Sequence, residues 1–224
     1  MGLVEYKQDF DEEIKTSVYG TGVSTKAAFL EAASGLLGDN ELESEFQIVE
    51  YEGIGYRQHR LQLDGYVYGE LSNCMSLALV DYRHDDSVVT ATDIDTIVKR
   101  ARFFLEDIDY ILSHAEESSP GYGLALDIKN NVFDIQKYKI YLFTNNPMSN
   151  RIKTLEADQI GGIPIEYHVW DIARLYELSQ NLTMKEDYEI EFSEFSDKSI
   201  PCLSVTSGED YQGYMACIPG IVLA

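Results

Sequence analysis

Asp64, Asp81 and Glu31 are the side chains of this chain whose types and spacing could do chemistry. Asp64 stands in the extended segment Leu63-Asp64-Gly65-Tyr66. Asp81 follows one strand later, in Leu77-Ala78-Leu79-Val80-Asp81-Tyr82. Carboxylates brought together from neighbouring strands can hold a hard divalent cation, which takes several oxygen ligands. A divalent cation held in this way can activate a bound water as a nucleophile.

Strand parity decides whether the two aspartates can meet. Successive side chains of a strand alternate between faces. Leu61 and Leu63 therefore share one face, with Gln62, Asp64 and Tyr66 on the other. On the next strand Leu77, Leu79 and Asp81 share a face. Packing the leucines together turns Asp81 away from Asp64, unless a bulge or a register shift intervenes. An Asp inside an apolar strand is costly to bury alone, so Asp64 is expected to have a partner. Glu31, on the helix before these strands, could add a ligand, or it is a solvated helix position.

Other groups of polar residues have plainer readings. His84-Asp85-Asp86 could bind a metal, but adjacent and unsupported ligands describe a polar loop. Trp170-Asp171-Ile172 combines a core aromatic with a helix N-cap at Asp171, and Tyr167-His168 could line a cleft. Gly20-x-Gly22, Gly53-x-Gly55 and Gly121-x-Gly123 lack the spacing of phosphate-binding loops. Ser204 and Ser207 have no recognisable base near them in sequence.

The charge balance limits the partners. Lys and Arg number 17 and Asp and Glu 39, for a net charge of −22. A duplex-binding surface neutralises phosphates with Lys and Arg, so this chain would have to gather its few cations on one face. Arg57, His59 and Arg60 form one small basic group, and Lys99, Arg100 and Arg102 another. Both read as solvated patches, which leaves nucleic acid undecided as a partner. The acidity favours solubility and a protein partner, and it argues against a polybasic membrane anchor. Cys74, Cys202 and Cys217 are odd in number and widely spaced, as reduced thiols of a cytoplasmic protein would be. The amino terminus lacks the apolar run of a secretory signal, and no stretch has the length to span a bilayer.

The elements that must position the acids follow from periodicity and turn chemistry. Tyr6 to Val18 reads as a helix that Gly20-Thr21-Gly22 ends. Ser24 or Thr25 caps a second helix through Leu37. Phe46–Tyr51, Arg57–Tyr68 and Met75–Tyr82 read as three strands. Thr92 then caps a long helix carrying Ile94, Ile97, Val98, Ala101, Phe104 and further apolar residues to Leu112. Another helix fills the stretch to Val132, and Lys139–Phe143 is a buried strand. Ile165–Val169 is a strand, followed by a helix from Asp171 to Leu178. After Gln180 the pattern changes to short strands at Glu189–Phe195, Leu203–Thr206 and Tyr214–Ile218. The expected division is an α/β domain over 1–180 and a β-rich appendage over 181–224. Stopping soon after Pro219-Gly220, at what reads as a helix start, suggests a further carboxy-terminal region.

From Thr25 to Phe143 the order is helix, strand, strand, strand, helix, strand. This αβββαβ order, with a mixed sheet, resembles the core of restriction-endonuclease-like nucleases. The resemblance implies a metal held by an Asp on the second strand, which Asp64 matches, and by an acid-x-Lys pattern on the third. Val80 and Tyr82 stand at those two positions.

The chain is also similar to the amino-terminal half of abortive infection phage resistance (AIPR) proteins. The similarity rests on Leu63-Asp64-Gly65-Tyr66, the Arg100 to Leu105 helix and Tyr141-Leu142-Phe143-Thr144-Asn145. It continues through His168 to Tyr176 and Tyr214 to Gly220. It implies a bacterial antiphage factor with a nuclease-like amino-terminal region and a longer carboxy-terminal region. Members with an intact site carry Gln-x-Lys or Glu-x-Lys on the third strand, a pattern from which Val80 and Tyr82 depart. Two functions are therefore expected. One is a catalytically degenerate scaffold that needs no cofactor and docks the carboxy-terminal region, a second copy, or a phage or host protein. The other is a Mg²⁺- or Mn²⁺-dependent nuclease that uses Asp64, Asp81 and Glu31, with Asp64 as metal ligand.

Overall fold

The β3 segment Cys74–Asp81 is buried from Cys74 to Val80, and a strand covered on both faces reads as a continuous apolar run. It lies inside a six-stranded mixed sheet in the order β1-β2-β3-β4-β6-β5. The other strands are β1 (Gln47–Ile54), β2 (Arg60–Gly69), β4 (Lys137–Thr144), β5 (Asp158–Ile160) and β6 (Ile163–Trp170). β1, β2 and β3 form an antiparallel meander. β3, β4 and β6 run parallel, and β5 pairs antiparallel with β6. The computed structural model describes residues 2–38, 42–149, 158–183, 202–206 and 212–216.

Among the described residues six α-helices accompany the sheet: α1 (Leu3–Thr21), α2 (Thr25–Gly35), α3 (Ala91–Glu106), α4 (Ile108–His114), α5 (Pro120–Lys129) and α6 (Ile172–Thr183). Alternation along the strands divides the core into two clusters. Leu61, Leu63, Leu77, Leu79, Ile140 and Leu142 pack with Ile94, Phe104 and Leu124 of α3 and α5. Val67, Ala78, Val80, Tyr141 and Phe143 pack with Phe10, Ile14, Phe29, Leu30 and Leu175 of α1, α2 and α6. The fold is mixed α/β with helices over both faces of the sheet, in keeping with the expected class.

Several boundaries differ from the sequence reading for local reasons. The long helix is capped at Thr90, not Thr92, because Thr90 and Asp93 form a reciprocal capping box. It stops at Glu106, since Asp107 leaves helical geometry (φ −100°, ψ 20°) before α4 begins. β1 continues past Gly53 to Ile54, and β3 ends at Asp81, one residue before Tyr82. β5 had no signal in the sequence. Ser24 caps α2, its hydroxyl accepting from the Ala27 N–H at 3.0 Å. Gly22, at φ 76°, ends α1 in the left-handed conformation that glycine adopts without strain.

The chain divides into two compact units, Met1–Thr183 and Met184–Ala224. In the second, β7 (Cys202–Thr206) and β8 (Gln212–Ala216) form an antiparallel pair with Cys202 opposite Ala216. The strand expected at Glu189–Phe195 and the carboxy-terminal stretch after Ala216 lie outside the described residues. No described helix is long and apolar enough to cross a membrane.

Candidate functional site

The site begins where the sheet loses its regularity. The β2–β3 ladder runs from Gly69 opposite Cys74 to Gly65 opposite Ala78. On the other flank of β2, the register shifts between the pairs Ile48–Gly65 and Tyr51–Leu63. Two β1 residues, Val49 and Glu50, thus face the single position of Asp64, and Glu50 takes the left-handed φ of 48°. Alternation breaks at the same point, so Asp64 and Gly65 both look toward α2. A Cβ on Gly65 would lie 2.8 Å from Leu30 Cδ2 and 3.2 Å from the Gln47 carbonyl oxygen, so any larger residue would push Leu30 and β1 aside.

Beyond Ala78, side chains take over from the backbone. The Val80 N–H donates to Asp64 Oδ2 at 2.7 Å. Gln62 Nε2 donates to the Val80 carbonyl at 3.2 Å and to Asp64 Oδ2 at 2.6 Å. Asp64 and Gln62 so satisfy both backbone polar groups of buried Val80, which would be costly to leave unpaired.

Asp64 is 1% exposed, and its Oδ1 makes no hydrogen bond. Lys26 Nζ, reaching down from α2, lies 3.4 Å from that oxygen and 2.6 Å from Glu52 Oε1. The two carboxylates are therefore within about 6 Å of one another across one ammonium. Glu52 sits opposite Gln62 in the β1–β2 ladder, and its Oε2 accepts from Arg60 Nη2 at 3.1 Å. Arg100 Nη1, from α3, donates to Gln62 Oε1 at 2.8 Å.

The electrostatics follow from burial and pairing. Burial pushes Asp64 above its ordinary value, and Lys26, the Val80 N–H and Gln62 only partly offset this. The hydrogen bond from Lys26 holds Glu52 below the usual glutamate range. Burial pulls Lys26 down, but the contact with Glu52 and the field of Asp64 outweigh it and leave its pKa raised.

The other acids expected at the site lie elsewhere. Asp81 accepts from Arg83 Nε at 2.8 Å, and Arg83 Nη2 also lies 3.4 Å from Asp93 at the start of α3. Glu31 is exposed and lines a groove of about 440 Å³ with Ser34, Leu42, Phe46 and Ile48. Among the described residues, no three His, Cys, Asp or Glu side chains are grouped as a metal ion would need. The Val80 side chain belongs to the apolar cluster. The Tyr82 hydroxyl donates to Asp11 Oδ1 of α1 at 2.8 Å, and its ring meets Phe29 edge-on at 5.4 Å. Burial and the neighbouring Asp11 raise that hydroxyl's pKa well above the tyrosine range.

Asp171 caps α6, its Oδ1 accepting from the Arg174 N–H at 3.0 Å and its Oδ2 from the Met148 N–H at 2.7 Å. Asp85 bonds Ser87 and Asp86 pairs with Lys7 at 2.7 Å, as in a polar loop. Lys26 and Glu52, which meet Asp64, carry no local signal in the sequence. Each comes from a different element. For Gln62 the available signal was its place on the same strand face as Asp64.

Residues 29–177 match the family model of the abortive infection phage resistance protein N-terminal domain. The chain belongs to this family. The matched span takes in all six strands of the sheet, and with them Glu52, Gln62 and Asp64. Lys26, and Asp11 of α1, precede the span matched to this AIPR N-terminal domain, although they hold Asp64 and Tyr82. No curated protein and no solved structure matches the chain.

Proposed function

We propose that this AIPR N-terminal domain serves abortive-infection defence against phage as a nuclease-like scaffold in the cytoplasm, not as a catalyst. The observation that carries the reading is the internal use of the Asp64 carboxylate. Oδ2 holds the Val80 N–H and Gln62, while Lys26 lies against Oδ1. A divalent cation shared with Glu52 would have to displace that ammonium. The positions that would carry acid-x-Lys are engaged otherwise, Val80 in the apolar core and Tyr82 on Asp11. In this reading the domain is a platform for the carboxy-terminal region of its own chain, for a second copy, or for a phage or host protein.

One observation favours a second reading, a restriction-endonuclease-like enzyme that uses Asp64 and Glu52. Asp64 Oδ1 is buried and makes no close hydrogen bond, its one cation, Lys26 Nζ, standing off at 3.4 Å, a position for which a metal ion could compete. Calorimetric titration with Mn²⁺ separates the two. The scaffold reading expects no saturable binding by the wild type or by Asp64→Ala. Saturable binding that Asp64→Ala loses, together with cleavage of added DNA or RNA, would overturn it.

A further inference from the structure

Arg100 carries a half-buried guanidinium that no described carboxylate contacts directly, although Asp81, Glu52 and Asp64 act on it from a distance. Its Nη1 donates to the neutral Gln62 Oε1 at 2.8 Å, and it forms no ion pair among the described residues. Its neighbours on α3 behave differently. Lys99 pairs with Asp95 at 2.6 Å, and Arg102 pairs with Glu106 and Asp158. An unpaired charge removed from water is costly, so its retention here calls for a counter-ion.

A second cation stands beside it. Arg60 lies two residues before Gln62 on β2, more than half exposed, and among the described carboxylates it touches only Glu52. Burial, and after it the nearby Arg60 guanidinium, pulls Arg100 below the ordinary arginine value. The two cations thus repel one another across Gln62. Lys26 completes the group, so Lys26, Arg60 and Arg100 stand around Glu52 and Asp64, while Asp81, itself held by Arg83, acts on Arg100 from further off. Three of the few cations of a chain of net charge −22 thus gather in one place.

We propose that Arg60 and Arg100, on either side of Gln62 where the β2–β3 ladder ends, bind the phosphoryl group of a small phosphorylated molecule such as a mononucleotide. Guanidinium presents planar paired donors that match phosphate oxygens, and one dianion would satisfy both. Glu52 and Asp64 do not compete for these cations alone, because Lys26 contacts both of them. The size of the ligand follows from the net charge. A long polyanion would be repelled by the rest of the surface, whereas a single phosphoryl group carries little of that cost. The site acts by binding only, and no bond in the ligand is made or broken.

The test is calorimetry at low ionic strength on the whole chain, with inorganic phosphate, a nucleoside monophosphate and a short single-stranded oligonucleotide as probes. Wild type, Arg100→Gln, Arg100→Lys and Arg60→Gln are compared. The nucleoside monophosphate is expected to bind saturably, about tenfold more weakly to Arg100→Gln, with partial recovery in Arg100→Lys. Absence of binding, or equal binding by Arg100→Gln, overturns the site. If Arg100→Gln does not fold, exposed Arg60→Gln decides, and unchanged affinity in that variant overturns the site. Binding of the oligonucleotide alone, lost in Arg100→Gln, overturns the small ligand in favour of nucleic acid. The Mn²⁺ titration reads Asp64, so the scaffold reading and this site can fail separately.

Discussion

Asp64 Oδ2 accepts the backbone N–H of Val80 at 2.7 Å, so a side chain joins β2 to β3 where their backbone ladder has ended. The residue best placed for metal chemistry thereby serves as a substitute peptide acceptor. Its partner is the backbone of Val80, the position where the resemblance to nucleases leads one to expect an acid. The side chain of Val80 is free to fill the core because its peptide group, not its side chain, meets Asp64.

Asp64→Ala removes the acceptor for the Val80 N–H, one acceptor of Gln62 Nε2 and one contact of Lys26 at once. Buried donors left unpaired make this a loss of roughly 2–4 kcal/mol. Asp64→Asn retains a carbonyl oxygen for Val80 and is expected to cost clearly less. Urea unfolding of the three proteins gives the comparison. Equal losses in the two variants would show that the Val80 contact contributes nothing.

Asp64 and Glu52 respond to pH with opposite signs. Burial raises Asp64 in the folded protein, so as pH rises past its ordinary 3.8 the unfolded chain gives up its proton first. Its contribution is therefore full below that value and is lost as pH rises toward the folded pKa. Glu52 lies below its ordinary 4.5, so its contribution is full above that value and is lost as pH falls through the folded pKa. Relative to wild type, Asp64→Asn should look less damaging near neutrality than in acid, and Glu52→Gln more damaging. Urea midpoints measured from about pH 3 to about pH 7 test this, and trends of the same sign would contradict it.

Tyr82→Phe removes the hydroxyl that holds Asp11 and leaves the ring against Phe29 in place. The expected cost is about 1 kcal/mol, the net worth of one hydrogen bond. Its location is more telling than its size. Amide hydrogen exchange should quicken along α1, Leu3–Thr21, and stay unchanged in β3. An α1 that exchanges as in wild type would show that Tyr82 does not anchor it.

Much of the secondary structure was legible where a local cause produces it, although the Thr90–Asp93 capping box of α3 was read two residues late. The stripe Ile94, Ile97, Val98, Ala101 and Phe104 specifies α3 by its period, and Lys139–Phe143 specifies a buried strand by its apolar run. The helix N-cap at Asp171 also follows from local chemistry. β5 was not legible, because three residues paired at a sheet edge carry no periodicity of their own. The break at Asp107 was equally hidden, since the apolar stripe continues across it.

What the sequence determined by itself is the mixed α/β class, the acidic surface, the family and the strand position of Asp64. All of these are written in residue type and short-range order. Only the tertiary structure decided the company that Asp64 keeps. Lys26 comes from a helix and Glu52 from a neighbouring strand, while Val80 contributes a backbone group that no residue type announces. The irregularity that turns Asp64 toward α2 depends on the register of β1 against β2, which is a property of the pair and of neither strand alone.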